Sequence, residues 1–339
     1  MVIPALSPVA VTAYQDLRRL LLDEAVSDLR GTLVLKDVNG RNYWYDHYRI
    51  GSDSKDRYIG EDGPELRARL DRHKALAAER EARSKNRARL IRLLRAEGAI
   101  PVDRETGAML RAFSLAGFFR VGGVLVGTQA FRLYEGELGV RIGVNDMAMT
   151  ADIDIAGFEQ LSVSIGDHVE EEAAVLLRQL EFTPVPELDP KTVWRWKQVK
   201  GDALVEFLTP SFGEDEGIRT LPSLGVQARA LHYMNYLIAE PIQAAALYRD
   251  GVLVRIPRPE RFAIHKLIVA NRRQAGEDAL KSRKDRAQAA FLIHVLAEDR
   301  PYDLKEAYET ARDMGPKWRE RIDATLERMP EERAVLENL

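Results

Sequence analysis

Two aspartates separated by one residue are the part of this sequence whose type and spacing most directly suggest chemistry. Asp152 and Asp154 lie in the run Met149–Ala156, whose alternation predicts a strand. Side chains at i and i+2 of a strand share a face, so the two carboxylates would project together. Such a pair is costly unless a cation neutralises it, and Mg²⁺ is bound by carboxylates together with waters and substrate phosphates. The alternative is an ordinary acidic pair on a solvated edge strand.

Two further segments carry groups that would complete such a site. Gly127 and Thr128 lie between an apolar run and a predicted helix start, where a helix N-terminus favours an anion; the alternative is an ordinary capping threonine. Glu206 interrupts the apolar strand 203–208. It is either a third carboxylate, which shares a metal ion and takes a proton from an attacking hydroxyl, or an outward-facing rim residue. Asp202 shares that face but belongs to a turn, so it ranks lower.

The elements around these residues mix helices with short strands. The spacing of apolar residues predicts helices over 106–119, 129–134 and 169–180, and strands over 193–199 and 203–208. Gly201-Asp202 between the two strands is a hairpin signal. Helices around a mixed sheet predict an α+β core.

Different elements flank this core on each side. The N-terminal part predicts a helix over 10–30, a hairpin turning at Asn39-Gly40, a third short strand over 57–60 and a long helix over 64–97. The C-terminal part predicts a hairpin at Asp250-Gly251, then helices over 260–273, through 297, over 304–312 and over 317–329. We therefore expect three regions: a β-meander with a long basic helix (1–105), the core (106–222) and a mostly helical domain (223–339).

The long predicted helix is strongly basic. Between Glu65 and Glu97 it carries eleven Lys and Arg residues against five acids, whereas the whole chain has a net charge of −3. One interpretation is a solvated helix with i,i+4 ion pairs. The other is a positive face that meets the phosphates of a nucleic acid. No aromatic residues interleave with these charges, so base stacking is not indicated.

The composition excludes several kinds of site. Cys is absent, which rules out disulfides, thiolate zinc sites and cysteine nucleophiles. The six His residues show no metal-ligand spacing, so any metal is expected to be hard and bound by oxygen. The first twenty residues lack the apolar core of a signal peptide, and no run is long enough to span a membrane. The expected location is the cytoplasm.

Four segments together resemble a known superfamily. They are Leu125–Ala130, with its Gly-Thr before a helix, Thr150–Asp154, the later acid Glu206, and Phe262–Lys266, which continues to Arg272 and then to Ser282–Arg286. This order is similar to that of the polymerase-β-like nucleotidyltransferases, and more closely to the bacterial branch that includes the AbiEii and MenT-like toxins. The resemblance covers roughly residues 112–298 and leaves out the N-terminal hairpin and basic helix.

The resemblance implies an activity and a role for each site residue. A nucleoside monophosphate (NMP) would pass from an NTP to a hydroxyl acceptor by two-metal catalysis. Asp152, Asp154 and Glu206 would be catalytic and would hold Mg²⁺, with Mn²⁺ as an alternative ion. The nucleotide would be bound by four residues: Gly127 and Thr128 at the phosphates, and Lys266 and Lys284 at phosphates or base. Asp285 would orient one of the two lysines.

Two departures from the branch leave the substrates open. Ala148 stands where the branch often has Arg, and the gap between Thr128 and Asp152 is long. The insertion 135–149 is interpreted as a lid or a substrate loop. The acceptor is an RNA such as tRNA, a protein side chain or a small molecule, and the basic helix favours RNA. The alternatives are a non-catalytic nucleotide-binding relative and an RNA-binding interaction module. The sequence leaves the oligomeric state unknown.

Overall fold

A computed structural model describes most of the chain. The described residues are 3–25, 31–38, 41–50, 53–142, 152–158, 169, 172–187, 192–273 and 278–339. They form a mixed sheet with helices around it and further helices after it, which confirms the predicted α+β class.

The described residues contain eleven α-helices and twelve strands. The helices are α1 (Pro8–Ala25), α2 (Pro64–Ala96), α3 (Arg104–Leu115), α4 (Gly127–Leu138), α5 (Ala173–Gln179), α6 (Met234–Ile238), α7 (Pro259–Arg272), α8 (Asp278–Asp299), α9 (Pro301–Asp313), α10 (Pro316–Leu326) and α11 (Pro330–Glu337). The strands are β1 (Thr32–Val38), β2 (Arg41–Ile50), β3 (Asp53–Glu61), β4 (Val124–Val126), β5 (Ile153–Ala156), β6 (Phe182–Pro184), β7 (Arg195–Gln198), β8 (Leu204–Pro210), β9 (Ile218–Leu221), β10 (Val226–Leu231), β11 (Ile242–Ala246) and β12 (Val252–Ile256). A 3₁₀ turn, Pro222–Leu224, joins β9 to β10.

The N-terminal strands form the predicted meander. β1 pairs with β2 and β2 with β3, both antiparallel. Val38 faces Arg41, so two residues separate the paired ends of the strands, in agreement with the hairpin that the Asn-Gly pair predicts. The turn residues 39 and 40 lie outside the described residues. The third strand is longer than predicted, and the 33-residue α2 follows it.

The central sheet has seven strands. Five follow the order β4-β5-β8-β10-β9, while β7 pairs with β8 and carries β6 on its other side. β8 is parallel to both β5 and β10 and antiparallel to β7. Its first half pairs with β7 and its second half with β10, so β8 lies in the interior of the sheet along its length. Ile153 and Ile155 of β5 are buried, which leaves the residue between them on the other face.

Aromatic side chains pack on both sides of the sheet region. Phe113 of α3 contacts Phe118 and Phe207, with ring centroids 4.7 and 6.3 Å apart. Phe131 of α4 stacks on Phe262 of α7 at 6.1 Å and contacts Phe291 of α8 at 5.9 Å. One apolar cluster therefore joins the sheet to the C-terminal helices. The division into three domains stays a prediction.

The C-terminal hairpin differs from its prediction in the length of its loop. β11 ends at Ala246 and β12 begins at Val252, so five residues connect the strands. Gly251 has φ +98, a backbone conformation that favours glycine. The helices α7 to α11 follow this hairpin. Within the described ranges, no helix is long and apolar enough to cross a membrane.

Candidate active site

Two of the three predicted carboxylates lie side by side on adjacent strands. Asp154 of β5 and Glu206 of β8 face each other in the parallel register. Neighbouring strands lie about 4.8 Å apart, so the two side chains project from one face as near neighbours. Asp152 immediately precedes β5 and is exposed. Arg195 of β7 faces Glu206 from the other side, so a row of charged residues crosses three strands.

The three carboxylates disfavour one another's charge. Burial, with the neighbouring charges of Glu206 and Asp152, raises the pKa of Asp154 from 3.8 to about 7. Burial also raises the pKa of Glu206, although Arg195 opposes the shift. The pKa of Asp152 is raised by burial and lowered again in part by Lys281 and Lys284. Burial is therefore the first cause of each rise, and acidic neighbours add to it at Asp154 and Glu206.

Gly127 and Thr128 are at the same place. Val126 pairs with Asp154, and α4 begins at Gly127, with φ +66. A Cβ built on Gly127 would lie 2.1 Å from Oδ2 of Asp154, so only glycine fits against this carboxylate. Thr128 is half-buried, and its hydroxyl bonds to no other described residue. The start of α4, with its backbone amides, therefore lies beside the acidic group.

Helices α7 and α8 bring cations toward the carboxylates. Lys266 of α7 is buried, and its Nζ donates to Oδ1 of Asp285 at 2.5 Å. Arg273 Nη1 donates to the other oxygen of Asp285 at 2.9 Å. Although burial acts to raise it, Lys266 and Arg273 hold the pKa of Asp285 below its ordinary value. Asp285 therefore fixes Lys266, and the charge of Lys266 reaches Asp154, whose pKa it lowers.

Lys284 lies beside the same group but in a different setting. It is half-buried on α8, one residue before Asp285. Burial and the nearby charge of Lys266 lower the pKa of Lys284, while Asp285, Asp152 and Asp154 oppose that shift. Lys284 is thus close enough to interact electrostatically with Asp152 and Asp154 and with the Lys266–Asp285 pair. All seven predicted site residues (Asp152, Asp154, Glu206, Gly127, Thr128, Lys266 and Lys284) belong to this region of the structure.

The structure adds three cations that the sequence reasoning did not select. Arg273 bonds to Asp285, whereas Arg272, which the sequence resemblance includes, bonds to Glu216 at 2.7 Å. Lys281 and Arg195 both act to lower the pKa of Glu206. The i,i+3 spacing of Lys281 and Lys284 on one helix was the available signal for Lys281. Nothing in the sequence indicates Arg195, because its role follows from strand register.

Some predictions concern residues that the structure does not describe. Residues 149–151, at the start of the predicted strand, and Ala148 lie outside the described residues. So do residues 143–149 of the predicted insertion 135–149: α4 covers its first part to Leu138, and the described residues 139–142 follow. The exposed turn residue Asp202 lies after β7 and before β8.

The basic helix α2 is attached to the protein by one face. Ile91 and Leu94 are buried in a cluster with α1. Arg87 is buried too, while Arg89, Arg92 and Arg95 are exposed and form no ion pair with another described residue. The exposed pair Lys85–Glu81 has the i,i+4 spacing of a solvated helix. The side chains of residues 68–80 lie outside the described residues, so both interpretations of this segment stay open.

Comparison with known proteins gave two family matches. A family model described as "Nucleotidyltransferase" matches residues 104–313, which is more than half of the chain and includes all seven predicted site residues. A model described as "Domain of unknown function (DUF6788)" matches residues 12–68. No curated protein and no solved structure matches the chain. The resemblance to the AbiEii and MenT-like branch stays a prediction.

Proposed function

The chain belongs to the nucleotidyltransferase family, and from this membership we propose that it transfers an NMP from an NTP to a hydroxyl acceptor in an Mg²⁺-dependent reaction. The observation that carries the proposal is the register of β5 and β8. It sets Asp154 beside Glu206, with Gly127 against the carboxylate of Asp154. The rest of the proposed site surrounds these three residues.

The three carboxylates fit a hard divalent cation. Asp152, Asp154 and Glu206 supply oxygen ligands only, which Mg²⁺ prefers and Mn²⁺ accepts. Burial and the charges of Glu206 and Asp152 raise the pKa of Asp154 to about 7, so the ionised form of Asp154 would be stabilised by positive charge bound beside it. Bound Mg²⁺ would supply that charge, neutralise the NTP phosphates and make the acceptor hydroxyl more acidic.

Residues of α4 suit the phosphates of the nucleotide. The backbone N–H groups at the start of a helix are unpaired and carry the positive end of its dipole. The N-terminus of the 12-residue α4, at Gly127 and Thr128, would thus receive the β- and γ-phosphates, with the Thr128 hydroxyl as a further donor. Lys266, held in place by Asp285, and Lys284 would offset the charge that develops on the leaving pyrophosphate.

The proposed reaction is a single displacement at the α-phosphorus. The acceptor oxygen forms a bond to the α-phosphorus as the bond from that phosphorus to the bridging oxygen breaks, and pyrophosphate leaves with that oxygen. The hydroxyl proton passes to Glu206, whose pKa is raised by burial and which therefore holds a proton more readily than an exposed glutamate does.

The exposed face of α2 favours RNA, such as a tRNA, as the acceptor. Arg89, Arg92 and Arg95 offer charges that no other described residue pairs. Cations of this kind are attracted to a phosphodiester backbone without regard to base sequence. A protein side chain or a small molecule would gain nothing comparable from this helix.

Incubation with labelled NTPs, Mg²⁺ and total RNA tests the proposal. We expect label in RNA, its loss in Asp152→Ala, and retention in the control Asp215→Ala, which changes an exposed acid elsewhere. Labelling that persists in Asp152→Ala would reject the assignment of the site. Calorimetry that finds NTP binding without transfer to RNA, protein or small hydroxyl compounds would support the non-catalytic alternative instead.

The acceptor is tested separately. Replacing Arg89, Arg92 and Arg95 together with Gln should weaken RNA binding and reduce its dependence on salt, while NTP binding stays unchanged. Equal RNA labelling by this variant and the wild type would remove α2 from the proposal. RNA binding with a steep salt dependence that survives Asp152 and Asp154 substitutions, without any transfer, would indicate an interaction module.

A further inference from the structure

A cavity of about 940 Å³ lies between the N-terminal helices and the C-terminal hairpin. The end of α1, α2, the end of α3, the segment before β4 and the β11–β12 hairpin all contribute to its wall. None of its lining residues belongs to the carboxylate site. Its size is within the range of small-molecule sites, which are commonly about 300–1,000 Å³.

One wall of the cavity is a neutralised ion-pair cluster. Asp250 accepts hydrogen bonds from Arg87 Nη2 at 2.9 Å, Arg111 Nη1 at 2.7 Å and Ser84 Oγ at 3.0 Å. Arg87 also pairs with Glu24 of α1. This cluster connects α1, α2 and α3 to the hairpin and leaves little net charge on that wall.

Another part of the cavity lining carries a cation in a different setting. Arg255 of β12 is half-buried and lines the cavity, yet the described part of the chain offers it no hydrogen bond and no ion pair. Burial lowers the pKa of Arg255, and no carboxylate offsets that effect. Arg120 lines the same cavity. A guanidinium withdrawn from water in this way is stabilised when an anion reaches it.

A third part of the cavity lining is apolar. Phe119, Leu115 and Leu253 line it, and Leu253 shares a strand face with Arg255 because the two are at i and i+2. Arg111 gives one N–H to Asp250, and a guanidinium has five donors. A ligand that fills this space thus meets an apolar surface beside a set of N–H donors.

We propose that this cavity binds an organic phosphate that has an apolar ring, with its phosphate on Arg255 and its ring against Phe119 and Leu253. Phosphate is the preferred anion, because the planar fork of a guanidinium matches its oxygens and a dianion can engage more than one arginine. The ligand would bridge the N-terminal helices to the hairpin. This inference is independent of the proposed transfer reaction.

Binding of 1-naphthyl phosphate to the full-length protein in EDTA tests the proposal by fluorescence titration. 1-Naphthol and inorganic phosphate are the comparison probes, since each carries half of the proposed recognition. We expect naphthyl phosphate to bind more tightly than either. The same titration of Asp154→Asn should give an unchanged affinity, which separates this cavity from the candidate active site.

Variants of one arginine decide the outcome. Arg255→Gln should weaken binding about tenfold or more, and Arg255→Lys, which keeps the charge but loses the fork, should weaken it less. Arg249→Gln is the matched control, because Arg249 is exposed on the same hairpin and does not line the cavity. If Arg255→Gln does not fold by circular dichroism, Arg255→Lys and Arg120→Gln replace it. Equal affinities of wild type and these variants, tight binding of 1-naphthol, or no binding of naphthyl phosphate would overturn the proposal.

Discussion

Asp154 and Asp250 are both largely withdrawn from solvent, but their neighbours shift their pKa values in opposite directions. The pKa of Asp154 rises to about 7, because burial and two acidic neighbours disfavour its charge. The pKa of Asp250 falls despite burial, because Arg111 and Arg87 and the hydroxyl of Ser84 stabilise its charge. No described side chain donates a hydrogen bond to Asp154, whereas three donate to Asp250.

The difference separates a structural cluster from the proposed active site. The charge of Asp250 is balanced by arginines of the same chain, so the ion pairs of this cluster stabilise the folded state. Cations lie near the Asp154 group as well, but Lys266 of α7 and the adjacent Arg273 bond to Asp285, and Arg272 bonds to Glu216. A carboxyl group whose pKa is strongly raised by burial and acidic neighbours is a frequent mark of a functional site.

The largest expected effect is on catalysis. Asp154→Asn should lower the rate of NMP transfer by about a thousandfold or more, since it removes a ligand and a charge at the reacting group. Transfer of label from NTP in single-turnover reactions measures it. The control is Asp202→Asn in the adjacent exposed turn, which should keep at least half of the wild-type rate. Comparable losses of rate in both variants would contradict the specific role proposed for Asp154.

The next effect is on folding, at the other aspartate. Asp250→Asn should lower the free energy of unfolding by about 3 kcal/mol, because it removes the charge that Arg111 and the buried Arg87 share and leaves Arg87 with Glu24 alone. Urea denaturation measures the change. Asp215→Asn removes an exposed i,i+4 pair with Arg219 and should cost less than about 0.5 kcal/mol. A stable Asp250→Asn protein would show that the cluster does not hold the N-terminal helices.

A pair of glycines sharpens the comparison further. Gly127 and Gly251 both have positive φ, so Ala at either should cost about 1–2 kcal/mol of stability. Their neighbours differ: the new Cβ meets the Asp154 carboxylate at 2.1 Å in one case and a methyl of Leu21 at 3.0 Å in the other.

Only Gly127→Ala should therefore reduce transfer, and we expect a loss of at least tenfold against a near-normal rate for Gly251→Ala. Thermal unfolding and the transfer assay, run on both variants, provide the two readouts. Equal rates for the two alanine variants would mean that the Asp154 carboxylate is free to move away.

The smallest effect is a pH dependence. Because the folded pKa of Asp154, about 7, exceeds its ordinary value of 3.8, the protonated form stabilises the metal-free fold. That stabilisation is complete below about pH 4 and is lost as the pH rises through 7.

In EDTA, the Tm of the wild type should fall between pH 5 and pH 8 by about 3 °C more than that of Asp154→Asn. Added Mg²⁺ should raise the wild-type Tm at pH 8 and leave the variant nearly unchanged. Parallel Tm curves for the two proteins in EDTA would contradict the raised pKa.

Much of the fold could be predicted from local patterns. The Asn-Gly hairpin, the long helix α2 and the two strands around Gly201-Asp202 follow from turn chemistry and apolar spacing, which act over a few residues. The short strands β9 and β10 were not predicted. Their stability comes from pairing with β8 rather than from their own sequence, in which Ala and polar residues are frequent. The final helix α11 was missed as well.

The site was predictable where its residues are close in sequence or match a motif. The i and i+2 spacing indicated Asp152 and Asp154, and Gly127-Thr128 stood before a helix. The partner of Lys266 was suggested by resemblance alone, and its geometry depends on how α7 and α8 pack. Arg195 could not be predicted, because its position opposite Glu206 depends on strand register.

The pairing of β8 on both sides ties chemistry to correct folding. A slip of β8 by one residue would place Val205 or Phe207 beside Asp154 in the proposed site. The side chain of Glu206 would then point into the apolar core. Neighbouring strands oppose such a slip, since β5, β7 and β10 each fix the same alignment. In a refolded sample, chains in which β8 is misaligned would therefore lack the proposed activity. The specific activity of that sample would then measure the fraction of chains in which β8 has its native register.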